Sequence, residues 1–177
     1  MDEVIVGHTA DLDPEELAEA HRLLEDVFGE ELKDTDWSHA LGGMHALVWE
    51  RAELVGHASV VTRRLMHRGR VYRTGYVEAV AVDPAYQGRG FAAAMMDELE
   101  RIVRGAYELG ALGATEMAMG FYAARGWQLW RGPTSAISPD GVMPTPWEDG
   151  SIYVFPVTSA LDLDGELTCD WREGDVW

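Results

Sequence analysis

Apolar positions along this chain follow two rhythms. One recurs every third or fourth residue and the other runs continuously or in alternation, and together they predict an alternating α/β order without internal repeats. Val4-Ile5-Val6 reads as a short strand. Asp13, Pro14 and Glu16 make a helix start with a capping box, and Leu17, His21, Leu24 and Phe28 continue it at helical spacing to a stop near Gly29. Residues 30–37 read as a loop, with a short helical turn beginning at Asp36. Strand-like runs at 45–49, 54–65 and 71–82, joined by turns at 50–53 and 68–70, form an antiparallel meander.

The third run leads through Asp83-Pro84 to Gln87-Gly88-Arg89-Gly90-Phe91-Ala92 and a helix over about 90–104, whose stripe is Met95, Met96, Leu99, Ile102 and Val103. A strand at 109–112 is expected to lie parallel beside 76–82, because a helical crossover returns the chain to the same sheet end. A second helix spans 116–125 and stops at Gly126. Strands at 127–130 and 152–157 flank a Pro/Gly-rich loop from 132 to 150, and a final strand at 166–170 precedes the tail 171–177. Residues 1–177 are expected to fold as one domain.

Composition narrows the class. With 47% hydrophobic residues and seven Trp the chain is globular, and no apolar run approaches the roughly 20 residues that span a bilayer. The start Met1-Asp2-Glu3-Val4-Ile5-Val6 lacks the basic and apolar regions of a signal peptide, so a soluble cytoplasmic protein is expected, with no membrane partner. The lone Cys169 excludes an intramolecular disulfide and reads as a packing residue. The six His show no H-E-x-x-H spacing and have no paired Cys beside them, so no metal is expected; His45 and His57 read as core or groove residues.

Charge is unevenly spread. The net of −17 divides into 13 acids against two bases over residues 1–36, nine against 11 over 37–137, and nine against one over 138–177. Nucleic acid is excluded as a partner, because a single Lys and scattered Arg offer no phosphate-neutralising cluster. Two anionic ends favour a cationic small molecule.

The glycine loop carries the sharpest chemistry. Backbone amides at a helix start present free donors and the positive end of the helix dipole, and glycines let an anion approach, so a nucleotide pyrophosphate is the expected ligand. Gly88-x-Gly90-x-x-Ala93 also satisfies a dinucleotide fingerprint. That fingerprint requires an acid at the end of the next strand, whereas Glu108 precedes that strand. No Gly-Lys-Ser/Thr follows, which excludes a Walker loop.

The order strand, helices, meander, Gln-x-x-Gly-x-Ala loop, helix, strand, helix resembles the GCN5-related N-acetyltransferases (GNAT). Thr35-Asp36-Trp37, Leu41-Gly42-Gly43-Met44-His45, Gly75-Tyr76-Val77-Glu78, Tyr122-Ala123-Ala124-Arg125-Gly126-Trp127 and Cys169-Asp170-Trp171-Arg172-x-Gly174-Asp175-x-Trp177 are similar to the aminoglycoside 2'-N-acetyltransferases within that superfamily. The resemblance covers nearly the whole chain. It implies a GNAT fold with a central mixed, mostly antiparallel sheet flanked by helices. It also implies acetyl-CoA as co-substrate, with Gln87, Gly88, Arg89, Gly90, Phe91 and Ala92 on its pyrophosphate and the backbone of Val80 and Val82 along its pantetheine arm. Dimers are common in that family, so a homodimer stays open.

Acetyl transfer to an amine needs a neutral nitrogen and a proton for the departing thiolate. Glu78, four residues before Val82, is a candidate base, and the resemblance implies that it acts through an ordered water. Tyr122 offers a phenol and matches the superfamily's general acid. The Val80 amide is implied as a donor to the acyl oxygen, in a bulged strand. For the polycationic acceptor the resemblance implies Glu31, Asp36, Glu148, Asp175 and the terminal carboxylate of Trp177, besides Glu78. Glu31 and Glu148 stand where aspartates are expected, and residues 113–119 lack a serine cluster. Another polyamine or a cell-envelope amino sugar as acceptor, and a non-catalytic cation-sequestering protein, are the competing readings.

Overall fold

The computed structural model describes residues 4–158 and 160–177, so Met1-Asp2-Glu3, on which the signal-peptide argument partly rests, lie outside the described residues. Its strands are β1 (Val4–His8), β2 (Met44–Glu50), β3 (Glu53–His67), β4 (Arg70–Val82), β5 (Leu109–Gly113), β6 (Gln128–Leu129), β7 (Thr134–Ser138), β8 (Gly141–Pro144), β9 (Ile152–Pro156) and β10 (Leu167–Cys169). The α-helices are α1 (Pro14–Phe28), α2 (Asp34–Ala40), α3 (Phe91–Ala106) and α4 (Met119–Ala124). Hydrogen bonding links the strands in the order β6-β9-β5-β4-β3-β10-β7-β8, with β2 on β3 and β1 on β2. The sheet is mixed: β4–β5 and β10–β7 are parallel, while β1–β2, β2–β3, β5–β9 and β7–β8 are antiparallel. No described helix is long and apolar enough to cross a membrane.

The chain divides into two compact units, one of residues up to Val61 with Val77–Ile102, the other of Thr62–Tyr76 with Val103–Trp177. In the first, α1 starts as expected: Asp13 N donates to Glu16 Oε2 at 2.9 Å, completing the capping box, with Pro14 at the first helical position. Its buried face is turned from the expected one. Ala20, Leu23 and Leu24 are buried, and Val27 packs against the cluster of Ala20, Leu23, Leu47 and Leu54. The set 20, 23, 24, 27 satisfies helical spacing as well as the expected one does, and small Ala20 lets the helix come close to the sheet. His21 lies at the border of that face, stacked on Trp37 at 5.0 Å.

α2 begins at Asp34, two residues before the expected turn. Asp36 caps it from inside: its Oδ2 accepts from Lys33 N at 2.9 Å. Within α3, Met95, Met96, Leu99 and Val103 are fully buried, as their spacing requires, while Ile102 is only half-buried.

The second unit holds two departures. β5 pairs with β4 at Thr74, Gly75 and Tyr76 rather than along 76–82. The crossover sets this register, since Glu108 N donates to Arg73 O at 2.9 Å and Arg73 N to Glu108 Oε2 at 3.0 Å, so the chain enters β5 level with Thr74. A Cβ on Gly75 would lie 2.7 Å from the Tyr107 ring, so this glycine admits the end of the crossover helix.

The stretch 132–150, expected to be loop, contains the β7–β8 hairpin, paired from Ser135↔Pro144 to Ser138↔Gly141. Its Pro and Gly punctuate the turn. Gly141 has a φ of 120°, and Pro144 sits on an edge strand, where its missing N–H costs no ladder bond. The expected helix at 116–125 is split into a short 3-10 turn, Glu116–Ala118, and α4.

Candidate active site

β4 breaks its extended conformation at Ala79, whose φ of 52° lies in the left-handed region. A residue with a Cβ is disfavoured there by roughly 1–2 kcal/mol, so neighbouring contacts must hold it. β3 supplies them: His57 Nδ1 donates to Ala79 O at 2.8 Å, and Ser59 Oγ lies 3.5 Å from Glu78 O. The break falls between Glu78 and Val80, where a bulged strand is expected. Glu78 and Val80 are half-buried and Val82 is buried, so the carboxylate sits on a strand held from beneath rather than on a free edge.

His57 continues into a buried polar chain. His45 Nδ1 lies 2.9 Å from His57 Nε2, Thr9 Oγ1 lies 2.7 Å from His45 Nε2, and Gly42 N donates to Thr9 Oγ1 at 2.8 Å. Burial pushes both imidazoles down to about 4, so they are neutral at physiological pH. The sequence showed both histidines as core or groove residues but not their partnership. Its one trace is parity: across the β2–β3 ladder His45 faces Ser59 and Leu47 faces His57, which sets the two rings on one face in neighbouring pairs.

Beyond β4, Asp83 Oδ1 accepts from Ala85 N at 2.7 Å and Gln87 Nε2 donates to Val82 O at 3.2 Å, fixing the loop to the strand end. Gly88 and Gly90 have φ of 75° and 87°, and a Cβ on either would meet nothing within 4 Å. Their role is conformational, with open space above them. α3 follows at Phe91 and its first backbone bond is Ala94 N to Gly90 O at 3.0 Å, so the amides before Ala94 have no intrahelical acceptor. This is the geometry of an anion cradle. Arg89 pairs with Glu50 and lies over the rings of Tyr86, at 5.3 Å, and Phe91, at 4.9 Å. Its guanidinium is thus braced against Glu50 and the two rings.

In the second unit the tail folds in. Trp177 is 5% exposed; its Nε1 donates to Thr145 Oγ1 at 2.9 Å and its N to Asp175 Oδ1 at 3.1 Å. Trp177 O accepts from Arg172 Nη2 at 2.7 Å. Asp175 lies close enough to Glu148 to raise that carboxyl, after the larger effect of burial. Ser151 Oγ lies 3.1 Å from Glu148 Oε2. Three expected acceptor residues, Glu148, Asp175 and Trp177, are thus brought together. Glu31 and Asp36 belong to the first unit, Glu31 in an exposed 3-10 turn after α1 and Asp36 engaged by the Lys33 amide.

Arg63 was not legible as a site residue, yet it holds the tail. It is 4% exposed, donates to Asp170 Oδ1 at 2.8 Å, to Asp170 O at 2.9 Å and to Val176 O at 2.7 Å, and lies 4.8 Å over the Tyr76 ring. Its signal was parity: it shares the buried phase of β3 with Val61, Leu65 and His67, while Thr62 and Arg64 are exposed.

Tyr122 is buried on α4 against Phe121 and Trp127, with ring centroids at 5.2 and 6.2 Å. Burial pushes its phenol up to about 12, with Arg125 opposing. The group is therefore protonated at neutral pH and available as a donor.

The acetyltransferase (GNAT) domain family matches residues 9–130. An aminoglycoside 2'-N-acetyltransferase from Mycolicibacterium fortuitum is 49% identical over 174 residues, which is 96% of this chain and 89% of that protein. Among solved structures, a GNAT family N-acetyltransferase from Escherichia coli in complex with CoA superposes with a TM-score of 0.65 at 14% identity, covering 98% of this chain and 92% of that one. An acyl-CoA N-acyltransferase from Pseudomonas aeruginosa gives 0.62 at 16% identity, over 87% and 99%. At these identities the solved structures speak for the fold alone.

Proposed function

The chain belongs to the acetyltransferase (GNAT) family, and we propose that it transfers the acetyl group of acetyl-CoA directly to the 2'-amine of aminoglycoside antibiotics, in a ternary complex. The observation that carries this reading is the 49% identity to an aminoglycoside 2'-N-acetyltransferase along nearly the full length of both chains. GNAT enzymes use acetyl-CoA, and the donor loop fits it: two glycines at positive φ beneath open space, followed by the start of a 16-residue helix, suit a pyrophosphate. Residues 1–177 act in this reading as one acetyltransferase domain, placed in the cytoplasm with its co-substrate.

Acetyl-CoA supplies the activated thioester. The backbone of Gln87 to Ala92 holds its pyrophosphate, and the backbone of Val80 and Val82 holds the arm. Glu78 takes the amine proton through a water, and the Val80 amide faces the negative charge that develops on the acyl oxygen. Tyr122 gives a proton to the departing sulfur. The acids Glu31, Asp36, Glu148 and Asp175, with Trp177, orient the drug's ammonium groups. Acetylation turns an ammonium into a neutral amide, which weakens binding of the drug to an anionic target and confers resistance.

The test is thiol release from acetyl-CoA with a panel of amines. Gentamicin- and tobramycin-like drugs with a 2'-amine should be turned over, and analogues with a 2'-hydroxyl should not. Equal turnover of both classes would sink the regiochemistry; turnover of simple polyamines or envelope amino sugars alone would replace the acceptor; binding of the drugs with no thiol release in any arm would point to sequestration.

A further inference from the structure

The chain from Gly42 to Ala79 has a direction. Ala79 O can only accept, so His57 Nδ1 carries the hydrogen across their 2.8 Å contact. In a neutral ring Nε2 then accepts, so His45 Nδ1 donates to it at 2.9 Å, and His45 Nε2 takes the single Thr9 hydroxyl hydrogen at 2.7 Å in preference to Gly43 O at 3.3 Å. Thr9 Oγ1 in turn accepts from Gly42 N at 2.8 Å. All four donors point toward the Ala79 carbonyl, and bonds aligned in this way polarise one another.

What they hold is the one residue of β4 with a positive φ. No described peptide bond is cis, so the Ala79–Val80 peptide is planar and trans, with its C=O and N–H pointing in opposite directions. Fixing the carbonyl toward His57 therefore fixes the Val80 N–H away from it.

We propose that Thr9, His45 and His57 are positioning residues: their hydrogen-bonded chain holds the Ala79–Val80 peptide in its left-handed turn and so aims the Val80 amide at the reacting acyl oxygen. This rests on the reading of Val80 given above. Both rings are fully buried, so they act through the peptide they hold. Their neutrality at working pH keeps the donors in one order, because a protonated His57 would put two donors face to face with His45.

The test combines kinetics with spectroscopy of the apo protein. His57→Phe fills the volume and removes the donor; kcat should fall about 10- to 100-fold, approaching the loss of one oxyanion donor, while KM for acetyl-CoA changes less than about threefold. His57→Asn, whose amide N–H replaces Nδ1, should recover most of the loss. In apo wild type, ring nitrogen shifts should show the Nδ1–H tautomer in both histidines, and Ala79 should give the strong intraresidue HN–Hα cross-peak of a positive φ. His57→Phe should abolish that cross-peak and His57→Asn retain it. An Nε2–H tautomer in either ring, or a His57→Phe protein with the Ala79 signal and kcat intact, overturns the proposal. If His57→Phe does not fold, the wild-type tautomers and His57→Asn decide. A wild type with both ring signatures that acetylates no amine overturns the reading of the site instead, and leaves the held peptide established.

Discussion

Arg63 donates to Val176 O at 2.7 Å, so a guanidinium buried within β3 holds the tail against the sheet. The same side chain meets Asp170 and the Tyr76 ring, and Cys169 Sγ lies 3.2 Å from Val176 O. Removing the charge takes the ionic partner from Asp170, which keeps only the Arg64 amide on Oδ2, takes the Arg63 donor from Asp170 O, and leaves Val176 O with the weak thiol alone. Arg63→Met should therefore cost about 3 kcal/mol in urea unfolding. It should also expose Cys169, whose thiol burial pushes up to about 11, to a disulfide reagent that does not reach it in the wild type.

Two glycines should fail for different reasons. A Cβ on Gly43 would lie 2.1 Å from Val60 O, so Gly43→Ala forces backbone apart and should cost upwards of about 3 kcal/mol by thermal unfolding. Gly88→Ala meets nothing but is strained by its φ of 75°, about 1 kcal/mol. Its main effect should be on calorimetric affinity for CoA, weakened about tenfold or more.

Glu78→Gln should lower turnover most steeply below the pKa of the substrate amine, where a proton must be removed. Tyr122→Phe should lower kcat about 10- to 100-fold without moving the acidic limb of the pH profile, since a phenol at about 12 does not titrate there. Rates unchanged within a factor of two would remove either role.

Stability should depend on pH through the buried imidazoles. Both have folded values of about 4, below the ordinary 6.5, so between those limits the unfolded chain binds protons that the folded protein does not. Stability is then full above pH 6.5 and falls as pH drops toward 4. The loss should reach on the order of 3 kcal/mol per ring, less than twice that for the pair because they share a bond. Urea midpoints across this range check it, and His57→Asn should flatten the slope.

Glu148→Gln separates fold from function. Burial and Asp175 raise that carboxyl, so the charge is held at a cost and its removal should stabilise the protein near pH 7. In the proposed reading it should also raise KM for the aminoglycoside several-fold without affecting that for acetyl-CoA. A stabilised variant with unchanged acceptor KM would remove Glu148 from the drug site.

Periodicity and caps carried most of the fold: the meander, the extent of α1 with its capping box, and α3 followed from them, though the stripe read on α1 was not the face it buries. The β7–β8 hairpin did not, because Pro139, Gly141 and Pro144 signal turn and edge in the same letters that signal loop. The backbone of the glycine loop was legible because glycine announces positive φ. Ala79 was not, since alanine carries no sign of a left-handed backbone and its hydrogen-bond partner His57 lies 22 residues away. Arg63 was half-legible, an ion on the inward parity of a strand.

The donor loop presents backbone rather than side chains, with Arg89 braced on Glu50. Main-chain amides survive most point mutations, whereas each proposed acceptor contact is a carboxylate that one codon change can lengthen, shorten or remove. In the proposed reading, changing drug pressure can therefore alter the acceptor through Glu31 or Glu148 while use of the acetyl donor is inherited intact.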